Sequence, residues 1–154
     1  MECKILHKLL NELIGLNAWG AKIGHGSFLT IDFGMPVKKE LIENEIGEWH
    51  LWVYLCSWRI EKNDLFVAGC EDSREKMTYA VKQINGSKLL SFTVSSTSLD
   101  AVLAFDNGLF LKLFSIYSEE KDSNHWLLYM PNNKVLVAGP GSKWEIEDTK
   151  KKNE

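Results

Sequence analysis

The chain has 154 residues, of which 45% are hydrophobic, and this composition suits a single globular domain with its own core. The net charge is −3 and only two of the 18 basic residues are arginine, so the composition disfavours duplex nucleic acid as a partner. Three cysteines without C-x-x-C spacing argue against a disulfide framework, and no apolar run reaches the roughly 18 residues of a membrane helix. These features predict a cytoplasmic protein that does not enter a membrane.

The first half of the chain is predicted to begin with a helix and to continue as strands. Leucine and isoleucine recur at helical spacing near the N-terminus, and the later segments alternate apolar and polar residues. The connection at 35–47 contains Pro36 and many charges, with a short helical piece expected at 39–44. The main expected elements are a helix at 5–16 and strands at 19–23, 29–33, 50–60 and 65–69.

The second half is predicted to start with another helix and then to form only strands. Asp72 is expected to cap the helix, with Glu75 completing a capping box, and Asn85-Gly86 is expected to end it. Asp106-Asn107-Gly108 and the turn at 131–134 each predict a hairpin. The expected strands lie at 89–94, 99–105, 109–116, 126–130, 135–138 and 144–146.

The two halves share an order of features that predicts an internal repeat. Each has a helix, an alternating strand, a strand that ends in Phe, and a closing strand in which Phe66-Val67-Ala68-Gly69 resembles Leu136-Val137-Ala138-Gly139. Between these features, the segment at 48–51 is matched with the segment at 124–127. Chance similarity between two β-rich segments is the alternative explanation.

These elements predict a single α+β domain at 1–147, with repeat halves at about 1–70 and 71–147. The expected fold is a β-rich sandwich or partly closed barrel built from two pseudo-symmetric αββββ units, because one such unit cannot bury its sheet alone. A flexible polar tail is expected at 148–154.

The strand at 50–60 carries the main candidate binding surface. Its alternation is expected to place aliphatic residues on one side and, on the other, aromatic residues whose polar groups can hydrogen-bond a partner; Trp52 and Trp58 share that side. The alternative is a central strand that a helix covers on this side. Arg59 is a candidate contact for an anionic group, with an ion pair to Glu61 as its alternative. The candidate binding residues are Trp49, His50, Trp52, Tyr54, Trp58, Arg59, Trp126, Lys143 and Trp144.

No catalytic or metal-binding motif is present in the sequence. The four histidines and three cysteines have no known family spacing, and the loop at 139–143 lacks the spacing of a phosphate-binding loop. The prediction is therefore a protein that is not an enzyme and needs no cofactor or metal. Two acidic connections, at 40–48 and 119–122, are interpreted either as solvated loops or as a rim for a basic partner.

The run Trp49–Arg59 and the turn Phe105–Gly108 resemble those of small bacterial and phage proteins of the immunity or anti-defence type. The resemblance implies a protein that neutralises a toxin or defence effector by stoichiometric binding, and it carries over no catalytic residue. The alternative hypothesis is a small-molecule-binding protein that sequesters a nucleotide-like signal in an aromatic pocket and allows a homodimer. An enzyme of unrecognised type is the third hypothesis.

Overall fold

The computed structural model describes residues 2–38 and 45–149, and it is dominated by two antiparallel sheets. The helices are α1 (Glu2–Leu10), which continues as a 3-10 turn at Asn11–Leu13, and α2 (Arg74–Lys82). The strands are β1 (Ala18–Ile23), β2 (Leu29–Val37), β3 (Ile46–Val53), β4 (Cys56–Lys62), β5 (Leu65–Gly69), β6 (Leu89–Val94), β7 (Ala101–Phe105), β8 (Leu109–Ser115), β9 (Trp126–Met130), β10 (Lys134–Ala138) and β11 (Trp144–Asp148). The short helical piece expected at 39–44 lies outside the described residues, as does the part of the expected tail from 150 onward.

The strands form a six-stranded sheet in the order β1-β2-β3-β9-β10-β11 and a five-stranded sheet in the order β5-β4-β8-β7-β6. Both sheets are open, so the fold is an α+β arrangement of two sheets and the alternative of a partly closed barrel is wrong. Each half of the chain supplies strands to both sheets, because β4 and β5 join the five-stranded sheet while β9 and β10 join the six-stranded sheet.

The inner faces of the two sheets share one hydrophobic core. The ring of Phe33 in β2 stacks on that of Phe105 in β7, with 6.4 Å between centroids, and Phe92 in β6 meets Trp126 in β9 at 5.5 Å. The helices contact edge strands of the sheets, α2 on β1 and β5 and α1 on β6. Neither helix in the described chain is long enough to cross a membrane.

The predicted single strand at 50–60 is wrong, because the chain changes sheets in its middle. Strand β3 ends at Val53 in one sheet and β4 begins at Cys56 in the other. The link between them is held by backbone N–H groups, since Tyr54 donates to the carbonyl of His125 (3.0 Å) and Leu55 to that of Asn124 (3.1 Å). The change also resets the alternation of side chains, so Trp52 points away from the core whereas Trp58 is buried in it.

The expected capping of α2 by Asp72 is also wrong. Ser73 is the N-cap, and its hydroxyl accepts the N–H of Lys76. The carboxylate of Asp72 instead accepts the N–H of Gly69 at 2.8 Å. Asp72 therefore stabilises the turn that leads from β5 into the helix. The helix expected at 5–16 ends as an α-helix at Leu10, while both expected hairpins are confirmed.

Replacing Trp58 and Trp52 separately tests the change of sheets. Trp58→Ala removes a buried core side chain and is expected to lower the free energy of unfolding by about 3–5 kcal/mol. Trp52→Ala truncates a half-buried side chain on the other side of its sheet, and we expect a loss of at most about 2 kcal/mol. Urea titrations of the two variants measure both values. Equal losses would contradict the assignment of the two residues to different faces.

Candidate functional site

The outward side of the six-stranded sheet carries an apolar cluster that is separate from the main core. Leu127, Val135 and Val137 are buried at its centre, where β9 and β10 pair. We call the whole cluster the aromatic face, and its members are Phe28, Trp52, Tyr54, Leu127, Tyr129, Val135 and Val137. Because paired strands place opposite residues on the same side, the register that joins Trp52 to Leu127 and Leu127 to Val137 makes this surface continuous.

Three aromatic rings at one end of this face support one another. The ring centroids of Trp52 and Tyr54 are 4.7 Å apart, and Phe28 lies 4.9 Å from Tyr54 and 6.0 Å from Trp52. Tilted and edge-to-face contacts of this kind stabilise ring pairs beyond the area that they bury. The three rings therefore hold one another in a fixed arrangement.

A buried carboxylate orients His50 at the edge of the same face. Asp32, which is only 5% exposed, places Oδ1 2.7 Å from Nδ1 of His50, and the same oxygen accepts the N–H of Gly47 at 2.9 Å. A carboxylate oxygen accepts, so Nδ1 of His50 carries a proton and donates it to Asp32. A Cβ at Gly20 would lie 2.6 Å from Oδ2 of Asp32, which explains a glycine at this point of β1. The imidazole ring is 5.9 Å from that of Tyr129.

Carboxylates lie around the aromatic face. Glu145 and Glu147 are paired with Val137 and Val135, which places their side chains on the same side of the sheet. Glu48 lies two residues before His50 in β3, so its side chain is on the outward side of the sheet. Its Oε1 accepts the N–H of Met35 at 2.9 Å. Two cations also lie on this side, Lys22, which is paired with Thr30, and Lys143, which lines a cleft with Val137 and Glu145. The surroundings of the face are therefore predominantly acidic.

The structure brings together only part of the candidate binding residues. His50, Trp52 and Tyr54 lie together on the aromatic face. Trp49, Trp58 and Trp126 are 4%, 2% and 0% exposed in the core, where a partner does not reach them. Two of these buried indoles are satisfied by loop carbonyls, because Trp58 donates to Ser27 and Trp126 donates to Leu99.

Arg59 lies away from this group, on the outward side of the five-stranded sheet. Its Nε donates to Glu61 Oε2 at 2.7 Å, which confirms the ion pair considered for it, and its guanidinium lies 4.7 Å from the ring centroid of Phe114. Lys112 donates to the other oxygen of Glu61 at 3.0 Å. The hydrogen bonds from Lys112 and then from Arg59 lower the pKa of Glu61.

Lys143 and Trp144 line a cleft of about 400 Å³ where β10 turns into β11, and we call it the Trp144 cleft. Asn124, Val137, Gly139, Pro140, Ser142 and Glu145 also line it, so the cleft adjoins the aromatic face at Val137 and contains a carboxylate as well as the ammonium. Trp144 packs partly on the core, whereas Lys143 is exposed. The cleft therefore combines an indole, an ammonium and polar groups within the size range of small-ligand sites, roughly 300–1,000 Å³.

Sequence reasoning missed four residues that shape these surfaces: Phe28, Asp32, His125 and Tyr129. Tyr129 is next to Leu128 in β9, so strand alternation predicts that their side chains point to opposite sides of the sheet. The positions of Phe28 and Asp32 depend on which residues of β3 lie opposite β2, and alternation alone does not specify this register.

Burial makes two potential nucleophiles or bases unsuited to reaction chemistry. Burial, followed by Cys70 and Asp100, raises the pKa of the Cys56 thiol to about 12, so it stays protonated near neutral pH. Burial also lowers the pKa of His125, which is 0% exposed. The hydrogen bond to the carbonyl of Gly141 and the charge of Asp100 raise this pKa, but they offset the effect of burial only in part. Among residues 2–38 and 45–149, no three His, Cys, Asp or Glu side chains gather as metal ligands do.

Comparison of the chain with protein-family models, curated proteins and solved structures finds no match.

The buried neutral His125 predicts a loss of stability in weak acid. Its folded pKa lies below the ordinary value of 6.5, so the unfolded chain binds more protons at pH values between the two. The stabilising contribution is complete above about pH 6.5 and is lost as the pH falls below it, by at most about 1.4 kcal/mol per pH unit for one proton. Urea titrations across this range measure the slope.

His125→Gln removes this titration and should flatten the slope, even though the variant is less stable at every pH. His25→Gln, in the turn between β1 and β2, is the matched control and should keep the wild-type slope. A slope that is unchanged in His125→Gln would show that other groups cause the acid sensitivity.

Proposed function

We propose that this chain is a binding protein that acts by binding a protein partner stoichiometrically through the aromatic face, and not by turning over a substrate. The observation that carries the proposal is the supported set of rings on this face, where Trp52, Tyr54 and Tyr129 remain half-buried around a buried aliphatic centre. Tryptophan and tyrosine dominate the energetic centres of protein interfaces, because they bury much area at little cost in conformational entropy.

The charge around the face favours a basic partner. Glu48, Glu145 and Glu147 lie on the same side of the sheet as the rings, and the whole chain has a net charge of −3. Acidic surroundings speed the encounter with a basic surface and disfavour acidic competitors. Arginine residues of the partner suit such a site, because a guanidinium can either stack on an aromatic ring or hydrogen-bond a carboxylate.

Two features support binding in place of catalysis. The described residues bring no serine, threonine or cysteine side chain into hydrogen-bond contact with the oriented His50, so the Asp32–His50 pair has no adjacent nucleophile. The Cys56 thiol is buried and protonated. The imidazole of His50 is therefore assigned the role of an oriented hydrogen-bonding group for the partner.

The class of partner that we propose is a toxin or a defence effector, which the chain neutralises as an inhibitor of the immunity or anti-defence type. The resemblance of the run at 49–59 supports this class, and stoichiometric inhibition needs only shape and charge complementarity. We propose action in the cytoplasm, with no cofactor, no membrane contact and no duplex nucleic acid as partner.

The Trp144 cleft supports a second candidate function, the sequestration of a nucleotide-like small molecule. Trp144 offers a ring for stacking a base and Lys143 offers a cation for a phosphate group. This candidate places the ligand site between β10 and β11, away from Arg59, and it allows a homodimer. The aromatic face favours the protein partner as the first candidate, because a broad supported surface suits a protein better than a small molecule.

We also infer that the two halves are repeats of one unit. The order β1-β2-β3-β9-β10 in one sheet corresponds strand by strand to β6-β7-β8-β4-β5 in the other. The first half thus adds β4 and β5, and the second half adds β9 and β10, to the sheet of the other half, while β11 has no counterpart in the first half. The repeated unit then has one helix and five strands, not the four strands expected from the sequence. In this correspondence β8 is the equivalent of β3. The sequence-based match of segment 48–51, in β3, with segment 124–127 is therefore replaced by a match of β3 with β8.

A tandem chain with two copies of residues 71–147 tests the repeat. If the halves are equivalent, each copy supplies the strands that the other lacks, and the product is expected to be a monomer that is rich in β-structure and unfolds in one transition. A single copy of 71–147 is the control and should fold only as a dimer. Circular dichroism and analytical ultracentrifugation measure these properties, and an unfolded tandem chain would argue against equivalence.

Trp52→Ala is expected to weaken binding to the partner about 30-fold or more, as truncation of an interface centre does, while the fold is retained. The partner is to be captured from the source cells, identified, purified and titrated by calorimetry. Phe110→Ala is the matched control, because Phe110 is an exposed ring (41%) on the outward side of the other sheet. It should leave affinity unchanged.

We expect saturation at one partner per chain, with the partner recovered chemically unchanged after denaturation. Protection at substoichiometric amounts, or a modified partner, would show that the protein is an enzyme. Loss of binding in Phe110→Ala but not in Trp52→Ala would show that the partner binds the five-stranded sheet and not the aromatic face. Loss of a recovered small molecule in Trp144→Ala, with Trp52→Ala unaffected, would establish the second candidate instead.

A further inference from the structure

A second cleft, of about 290 Å³, opens at one end of the sandwich, and we call it the His125 cleft. It lies where the β6–β7 loop, the segment after β8 and the β10–β11 loop meet. Hydroxyl side chains form most of its lining, together with Ile116, His125 and Gly141; these hydroxyl residues are Thr97, Ser98, Ser115, Tyr117, Ser118 and Ser142.

The walls of this cleft are tied to one another by hydrogen bonds. Asp100 accepts the N–H of Ser115 at 2.7 Å, and the hydroxyl of Ser115 donates to the carbonyl of Ser98 at 2.7 Å. The N–H of Gly141 donates to the carbonyl of Tyr117 at 2.9 Å, and the hydroxyl of Ser142 donates to the carbonyl of Thr97. All three loops are thus connected, so the cleft is formed before a ligand binds.

His125 presents an unused hydrogen-bond acceptor. Its Nε2 lies 3.1 Å from the carbonyl of Gly141, which can only accept, so Nε2 carries the proton. Nδ1 is then an unprotonated acceptor, and it is buried without a hydrogen-bond partner in residues 2–38 and 45–149. Burial lowers the pKa of this imidazole and so favours its neutral form. A buried acceptor without a donor costs free energy, which a ligand that donates a hydrogen bond would recover.

The lining also limits the charge and hydrogen-bonding character of a ligand. It contains no Lys, Arg, Asp or Glu side chain, so it offers no partner to a charged group. The hydroxyl hydrogens of Ser115 and Ser142 are already donated to carbonyls, which leaves their oxygens as acceptors. The matching ligand is therefore neutral, with groups that donate to these acceptors and can also accept from the other hydroxyls of the lining.

We propose that the His125 cleft binds a small neutral polyhydroxylated ligand of monosaccharide size. The volume lies near the lower limit of small-ligand sites, which span roughly 300–1,000 Å³. At the rim, Tyr117 and Ile116 are 37% and 59% exposed, and they can cover the apolar C–H face of a sugar ring. This site lies apart from the aromatic face and does not depend on the function proposed for that face.

The test uses the whole chain with ¹⁵N-labelled histidine and a panel of neutral monosaccharides: glucose, galactose, mannose and ribose. We expect at least one sugar to move the Nδ1 resonance of His125 saturably, because its hydroxyl donates to that nitrogen. Glucose 6-phosphate and glucuronate, the charged counterparts, should bind at least about tenfold more weakly, since the cleft offers their charge no partner.

Tyr117→Ala should weaken the binding of the same sugar about tenfold, whereas Tyr79→Ala, which removes an exposed tyrosine of α2, should leave it unchanged. Both residues are exposed, so both variants are expected to fold. The proposal is overturned if no neutral sugar produces a saturable shift at His125. It is also overturned if the charged sugars bind equally well, or if the two tyrosine variants behave alike.

Discussion

Two backbone hydrogen bonds hold the point at which the chain leaves one sheet for the other, and the surfaces of the molecule depend on them. The N–H groups of Tyr54 and Leu55 donate to the carbonyls of His125 and Asn124, so the link between β3 and β4 is fastened to the residues that lead into β9. The alternation of residues 50–60 alone predicts one strand with aromatic side chains on a single side. The change of sheets instead sends Trp58 into the core and leaves Trp52 and Tyr54 outside.

The same connection relates the aromatic face to the His125 cleft. Tyr54 contributes its ring to the face, while its N–H holds the carbonyl of the residue whose imidazole lines the cleft. On the far side of His125, Gly139 adopts a positive φ of 84°, and a Cβ there would collide with the imidazole ring. A glycine is thus required where β10 ends, because the buried ring occupies the space that any larger residue would need.

Local patterns in the sequence predicted the hairpins and most strands, because turn residues such as Asn107-Gly108 act through their own backbone preferences. The break at 54–55 could not be predicted in this way. The buried residues are odd-numbered before the break (Leu51 and Val53) and even-numbered after it (Cys56 and Trp58). Because both the odd and the even positions of this run carry apolar residues, the sequence does not show where the alternation changes. Alternation placed His50 and Trp52 on the same side of their strand but did not decide whether that side faces solvent. Their neighbours Asp32 and Phe28 are brought there by strand register, which is a long-range property.

The positions of the six tryptophans show how much of the aromatic content serves the structure itself. Trp19, Trp58 and Trp126 each donate the indole N–H to a backbone carbonyl, of Gly34, Ser27 and Leu99 respectively, so each ties a loop or bulge to the core. Trp49 is buried beside Trp58 and Trp126 in the core, whereas Trp19 is half-buried. Structural demands thus account for four of the six, and a high tryptophan content is by itself no sign of a binding site. The other two, Trp52 and Trp144, are half-buried, and each lies at a surface proposed for binding. The chain buries three tryptophans almost completely, so a tryptophan that it keeps partly in water offers an aromatic surface that a partner can contact, and this is why we propose binding at Trp52 and Trp144.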